Sequence, residues 1–120
     1  MATAAEHLAQ SERNAAVAQQ LAESADYDWA VTALFYASLH LVQAYLLRRG
    51  IRVQTHGQRI RQMMSLAELE PIVDSYRVLQ THSENARYEC RNFSSSEFAA
   101  IRNGRYSQVL SHLRSLLEAQ

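Results

Sequence analysis

The stretch from Asp26 to Arg49 constrains the fold of this chain more than any other. Between Trp29 and Leu47 it contains no charged side chain, no glycine and no proline. Its large apolar side chains wrap most of the way around a helix of about 3.6 residues per turn, which predicts a central buried helix. One line along this helix instead carries small residues and one histidine: Ala30, Ala33, Ala37, His40 and Ala44. Small side chains on one line let a neighbouring helix approach closely.

The same stretch is apolar enough to be compared with a membrane span. It covers about 19 residues, which is barely the length that a bilayer requires, and it includes Thr32, Ser38 and Gln43. We therefore expect a core helix and no membrane association. The single cysteine, Cys90, cannot form an internal disulfide, and the first residues show no signal-peptide pattern. These features predict a cytoplasmic protein.

Start and stop signals predict further helices on both sides of this stretch. Residues 4–24 form a first helix, and capping boxes at Thr55 and Ser94 begin a short helix and the last helix. Pro71 suits the first turn of the third long helix. Because the connections are short, we predict one all-α domain over residues 1–120. Its architecture is an up-and-down four-helix bundle with a short extra helix between the second and third long helices.

Asn103 and Gly104 interrupt the apolar stripe of the last helix. A glycine inside a continuous helix costs about 1 kcal/mol relative to alanine. The stripe resumes after Gly104 with a slight phase shift, so we expect one bent helix or two abutting helices.

Charge is unevenly distributed along a chain whose formal net charge is zero. Residues 1–28 contain one arginine and five acidic residues, whereas residues 29–67 contain five arginines and no acidic residue. This middle block predicts a face that binds an anion such as RNA phosphate. Its candidate binding residues are Arg48, Arg49, Arg52, His56, Arg59 and Arg61. His56 begins the short helix, where free backbone N–H groups suit a phosphate.

Three segments in this order resemble the HEPN family, whose name stands for higher eukaryotes and prokaryotes nucleotide-binding. They are FYASLHLVQAYLLRRG, THGQRIRQM and a long helix ending in ENARYEC. The resemblance covers residues from about 27 to 117. The matching positions are Tyr36-Ala37, Ala44 to Leu47, Gly50, Thr55-His56 and Ala86-Arg87-Tyr88.

The resemblance implies a four-helix bundle that usually forms a homodimer. Some members of the family are metal-independent ribonucleases, often toxins of bacterial defence or toxin–antitoxin systems. Others accompany small nucleotidyltransferases, and others have lost the catalytic residues and act as binding or assembly modules. The partners implied for this chain are a second copy, RNA or a nucleotide, and a nucleotidyltransferase or antitoxin.

Ribonucleases of this family carry an arginine followed a few residues later by a histidine. The histidine moves protons during attack by the 2′-hydroxyl, and the arginine neutralises charge on the phosphorane. Arg77 and His82 are the literal match in this chain. They lie midway along the third long helix, whereas the family motif usually lies around the start of the last helix, so a solvated helix face is the alternative.

Arg87 and Arg91 share a helix face with Glu84 one turn back. This spacing fits an intrahelical ion-pair ladder, and the alternative is a phosphate clamp with Tyr88 nearby. His40 fits a packed position on the alanine line, and we expect His7 at the surface. No metal-ligand spacing and no cofactor motif is present in the sequence, so neither a metal nor a cofactor is expected.

The sequence favours a binding or assembly module whose arginine-rich middle contacts RNA, a nucleotide or an acidic partner. The second reading is a metal-independent ribonuclease that uses Arg77 and His82 across a dimer cleft. The third is a structural helical module that binds another protein through its alanine lines. Enzymatic activity is the less favoured of these expectations.

Overall fold

Helices account for nearly all regular structure in the computed structural model, which describes residues 1–119. They are α1 (Ala4–Glu23), α2 (Tyr27–Arg48), α3 (His56–Ser65), α4 (Glu70–Tyr88), α5 (Ser95–Ile101) and α6 (Ser107–Glu118). A 3-10 turn, Ala67–Leu69, precedes α4, and a π-helical turn, Arg102–Tyr106, joins α5 to α6. The described range contains no strand. The all-α prediction is confirmed, including the short helix α3 between the second and third long helices.

Polar contacts show that α1 and α2 run antiparallel. Ser11 Oγ donates to the Ala37 carbonyl at 2.8 Å, and His7 Nδ1 lies 2.8 Å from His40 Nδ1. Residue numbers therefore rise along α1 as they fall along α2. The small side chain of Ala37, which is fully buried, allows this close approach.

Helix α4 continues the up-and-down order. Arg87 near the end of α4 contacts Tyr36 in the first half of α2, whereas Glu68, just before α4, contacts Tyr45 near the end of α2. The α6 residue His112 also reaches the start of α4, since its Nε2 lies 2.6 Å from the Glu68 carbonyl oxygen. The bundle order is therefore α1, α2, α4 and α6, as predicted.

Helix α2 lies at the centre of this arrangement, against α1, α4, α5 and α6. By length and composition alone it could cross a membrane, but 72% of its most apolar window is buried inside the bundle. Between Ala30 and Leu46 only one line of side chains keeps partial exposure. Together with its ends, that outward line consists of Trp29, Ala33, Tyr36, His40, Gln43 and Leu47.

The two glycines that interrupt helices have different backbone conformations. Gly50 ends α2 with a φ of +74°, in the left-handed region. Gly104 lies inside the π-helical turn with a negative φ. The predicted bend or break at Asn103-Gly104 is instead a local change of helical winding, in which an extra residue is inserted and the phase of the stripe shifts.

We predict opposite effects on stability from the same substitution at these two glycines. Nothing lies within 4 Å of a Cβ placed at either position, so packing does not distinguish them. Gly50→Ala should lower the free energy of unfolding by about 1–2 kcal/mol, because alanine is strained at positive φ. Gly104→Ala should raise it by about 0.5–1 kcal/mol. Urea denaturation of both variants checks this, and two changes of the same sign would contradict it.

Candidate nucleic-acid interface

Arg59 on α3 is a buried arginine whose side-chain partners are neutral. Its residue is only 6% exposed. Its Nε donates to Gln43 Oε1 at 2.9 Å, and its Nη1 donates to His56 Nδ1 at 3.2 Å. Within residues 1–119 no carboxylate forms an ion pair with it. The guanidinium therefore keeps a positive charge inside the protein without a compensating negative charge.

Tyr76 of α4 adds a second incompletely satisfied polar group next to this guanidinium. Its residue is fully buried, and burial raises the pKa of its hydroxyl to about 12, against the opposing charge of Arg59. Among the described residues the hydroxyl has no hydrogen-bond partner in good geometry. Arg59 and Tyr76 thus form a polar centre between α3 and α4.

His56 presents this centre to the surface. The Thr55 capping box starts α3, so His56 is its first residue and its ring lies 6.0 Å from the Phe35 ring. Because Nδ1 accepts a hydrogen bond from Arg59, the neutral ring carries its proton on Nε2. Desolvation lowers the pKa of His56, the charges of Arg59 and Arg87 lower it further, and Glu84 opposes them.

A cavity of about 330 Å³ opens between α3 and α4 beside His56. Its lining consists of His56, Gly57, Ile60, Arg77, Gln80, Thr81 and Glu84. We call this cavity the α3–α4 cleft. It carries one guanidinium, one imidazole and one carboxylate on its walls, with the charge of Arg59 buried behind His56.

Arg87 lies between two tyrosine rings at the end of α4. Its Nη1 donates to the hydroxyls of Tyr36 and Tyr88, at 3.1 Å and 3.0 Å. Its Cζ lies 5.5 Å from the Tyr36 ring centroid and 4.7 Å from that of Tyr88. Tyr88 is 68% exposed. The structure thereby separates Arg87 from Arg91, which instead pairs with Glu97 at 3.0 Å.

His7 and His40 form a pair that the sequence did not predict. Their rings are stacked with centroids 5.1 Å apart, and both side chains are half-buried rather than exposed. Burial lowers the pKa of both rings, and the charge of Arg59 lowers both as well. His40 lies on the outward line of α2, one turn from Tyr36 and one turn from Gln43.

The predicted anion-binding block is divided between two places. His56, Arg59 and Arg61 lie on α3, and Arg61 is exposed beside Gly57. The other three arginines lie at the end of α2 and in the connector after it. There Arg48 donates to the Leu117 carbonyl at 3.1 Å, Arg49 pairs with Glu68, and Arg52 Nη1 lies 3.0 Å from Met1 Sδ.

The structure brings Arg77 and His82 to one cavity of about 280 Å³, on the next face of α4. Arg77 also lines the α3–α4 cleft. The His82 ring packs edge-on against Phe93 at 5.6 Å, and burial lowers its pKa. Its Nδ1 is buried and finds no partner in the part of the chain that is described. In the same residues no cluster of three or more metal-ligating side chains occurs.

A comparison with protein families finds one match of nearly the full length of the chain. The family model described as HEPN domain matches residues 4–118. The match includes all of α1, which lies outside the segments that carry the resemblance in the sequence. No curated protein matches the chain.

We predict that the protein loses stability as the pH falls from about 7.5 to about 5.5. His7, His40, His56 and His82 have folded-state pKa values below the unfolded value of about 6.5. The unfolded chain therefore binds more protons in this window, and the free energy of unfolding decreases as protons bind.

Urea midpoints at the two pH values measure this effect. His40→Gln should shrink the difference between them, because it removes one titrating ring and the charge repulsion on His7. A midpoint that is independent of pH in the wild type would contradict the folded-state pKa directions.

Proposed function

Because this chain belongs to the HEPN family, we propose that it binds the phosphates of RNA or of a nucleotide at the α3–α4 cleft. Family membership supports the coarser statement that it is a nucleotide- or RNA-related module. The observation that carries the finer proposal is the buried guanidinium of Arg59, which has neutral partners only. A buried charge is costly unless an opposite charge compensates it. A phosphate at the mouth of the cleft supplies that charge.

His56 provides the direct contact in this proposal. Its neutral ring donates from Nε2, because Arg59 occupies Nδ1. Its position at the start of α3 also places it beside free backbone N–H groups of the first turn, which favour an anion. Arg61 and Arg77 lie at the same mouth and extend the positive charge. Glu84 lines the cleft as well and limits how many phosphates it accommodates.

Tyr88 and Arg87 suit the nucleotide base. An exposed aromatic ring next to a guanidinium offers a stacking surface, and stacking is worth about 1–3 kcal/mol per base where it occurs. Arg87 is held in place by Tyr36 and Tyr88, so its orientation is fixed before any ligand arrives. The proposed arrangement is a phosphate near His56 and a base near Tyr88.

The setting that we propose is a bacterial defence or toxin–antitoxin system in the cytoplasm. The module acts there as a homodimer, or with a nucleotidyltransferase or antitoxin as its partner. Support comes from the family resemblance and from Cys90, which is exposed and forms no disulfide, as suits a reducing compartment.

A metal-independent ribonuclease is the second candidate function. It is favoured by the shared cavity of Arg77 and His82, which also includes Arg91. The lowered pKa of His82 keeps its ring neutral near pH 7, as a general base requires. Two guanidiniums at the same cavity provide charge for a phosphorane.

We predict salt-dependent binding of single-stranded RNA that weakens in Arg61→Gln and Arg87→Gln. Each lost phosphate contact should reduce the slope of log affinity against log salt by about 0.7. Fluorescence anisotropy of a labelled oligoribonucleotide between about 50 and 200 mM salt measures both quantities. Arg105→Gln is the matched control, because Arg105 pairs with Asp74 away from the cleft. Equal losses in all three variants would contradict the assignment to this cleft.

The ribonuclease candidate predicts cleavage of single-stranded RNA in the presence of EDTA. His82→Ala and Arg77→Ala should each reduce the cleavage rate by at least about a hundredfold, the scale of lost acid–base or oxyanion catalysis. Gel analysis of end-labelled RNA measures the rate. Wild-type protein that leaves the RNA intact, or an active His82→Ala variant, would exclude this function for the pair.

A further inference from the structure

An apolar groove lies on the opposite side of α2 from the α3–α4 cleft, between α1 and α6. Helix α1 packs along α2, and α6 packs against α2 and α4, so α1 and α6 stand apart. The groove has a volume of about 270 Å³. Its apolar walls and floor come from Leu8, Ala15, Leu41, Leu110 and Leu117. This groove is independent of the residues that carry the proposed function.

The groove has closed ends and an unfilled middle. At one end Arg102 Nη1 donates to Gln19 Oε1 at 3.3 Å, and at the other Arg48 Nη1 donates to the Leu117 carbonyl at 3.1 Å. Between them α1 contributes the small residues Ser11 and Ala15. Their side chains allow α1 to approach α2 but do not reach α6. The gap is therefore a consequence of the alanine-rich face of α1.

Two polar groups belong to the same groove. Tyr106 ends the π-helical turn, a type of distortion that occurs frequently at functional sites, and its residue is 94% buried, being only 6% exposed. Its environment is burial and the nearby positive charge of Arg114, and among residues 1–119 its hydroxyl has no hydrogen-bond partner. Arg114 also lines the groove and forms no ion pair with a described carboxylate.

We propose that this groove binds an amphiphilic carboxylate, a small molecule with one apolar chain and one carboxylate group. The chain lies between Leu8 and Leu110, where it buries apolar surface. The carboxylate accepts hydrogen bonds from the Tyr106 hydroxyl and the Arg114 guanidinium. Since a methylene group occupies about the volume of a water molecule, ~30 Å³, the groove suits a chain of medium length.

The charges at the rim favour a single negative charge over two. Glu12 and Glu118 line the groove together with Arg48 and Arg114. These four side chains have no net charge, so a dianionic phosphate would meet more repulsion than a carboxylate. An alcohol of the same length would leave the guanidinium of Arg114 without its anion.

Isothermal titration with octanoate tests the proposal, and octanol and octylamine are the ligand controls. We expect binding of one octanoate per chain. Tyr106→Phe and Arg114→Gln should each weaken octanoate binding about tenfold, as expected for the loss of a hydrogen bond to a charged group. Octanol should bind more weakly to the wild type and equally to both variants. Arg105→Gln, which changes the residue next to Tyr106 but not the groove, should leave octanoate affinity unchanged.

Ala15→Leu tests the apolar part of the groove, because the larger side chain fills it. Octanoate binding should be lost in this variant while its helical circular dichroism persists. Four results would overturn the proposal: no octanoate binding by the wild type, octanol binding as tight as octanoate, unchanged affinity in Tyr106→Phe and Arg114→Gln, or normal binding by Ala15→Leu. A dimer that dissociates in Ala15→Leu would assign the groove to a second copy and would also overturn it.

Discussion

The buried guanidinium of Arg59 is the interaction on which the proposed site depends. Removing a charge from water costs several kcal/mol, and neutral hydrogen-bond partners recover only part of this cost. In this protein the partners are Gln43 from α2 and His56 from the same helix as Arg59. The same contacts that hold α3 against the bundle therefore fix the tautomer of His56 and keep positive charge behind it. Stability and anion affinity are coupled at one side chain.

The outward line of α2 explains why several polar groups meet near this guanidinium. Tyr36, His40 and Gln43 lie on successive turns of one helix, and each contacts a different neighbour. Tyr36 accepts from Arg87 of α4, His40 meets His7 of α1, and Gln43 accepts from Arg59 of α3. Because the rest of α2 is buried on all sides, this line cannot rotate without exposing core residues. The fold thus presets the positions of the site.

The fold could be predicted from the sequence because its signals are local and periodic. The uncharged stretch of α2, the capping boxes at Thr55 and Ser94 and the stop at Gly50 each depend on neighbouring residues, and the structure confirms them. The antiparallel order followed from short connections. The π-helical turn was not predicted in form, since Asn103-Gly104 marks an interruption but does not specify how the winding changes.

The candidate site was less predictable, because it depends on burial and on contacts between distant residues. A run of arginines indicates positive charge but not which side chain points inward, and the structure buries Arg59 while leaving Arg61 exposed. The spacing of Arg87 and Glu84 suggested an ion-pair ladder, whereas Arg87 contacts Tyr36, 51 residues away in the sequence. His7 and His40 are 33 residues apart. One signal was available in retrospect: His40 and Gln43 interrupt an otherwise apolar helix with matched spacing.

The protonation state of His56 tests the central claim most directly. A long-range ¹H–¹⁵N correlation spectrum of the histidine rings, recorded across a pH titration, distinguishes the two neutral tautomers and the cation. If Arg59 holds the ring as described, His56 is neutral near pH 7, carries its proton on Nε2 and titrates below about 6.5. A proton on Nδ1, or a pKa above that value, would show that Arg59 does not donate to this ring and would remove the basis for the site.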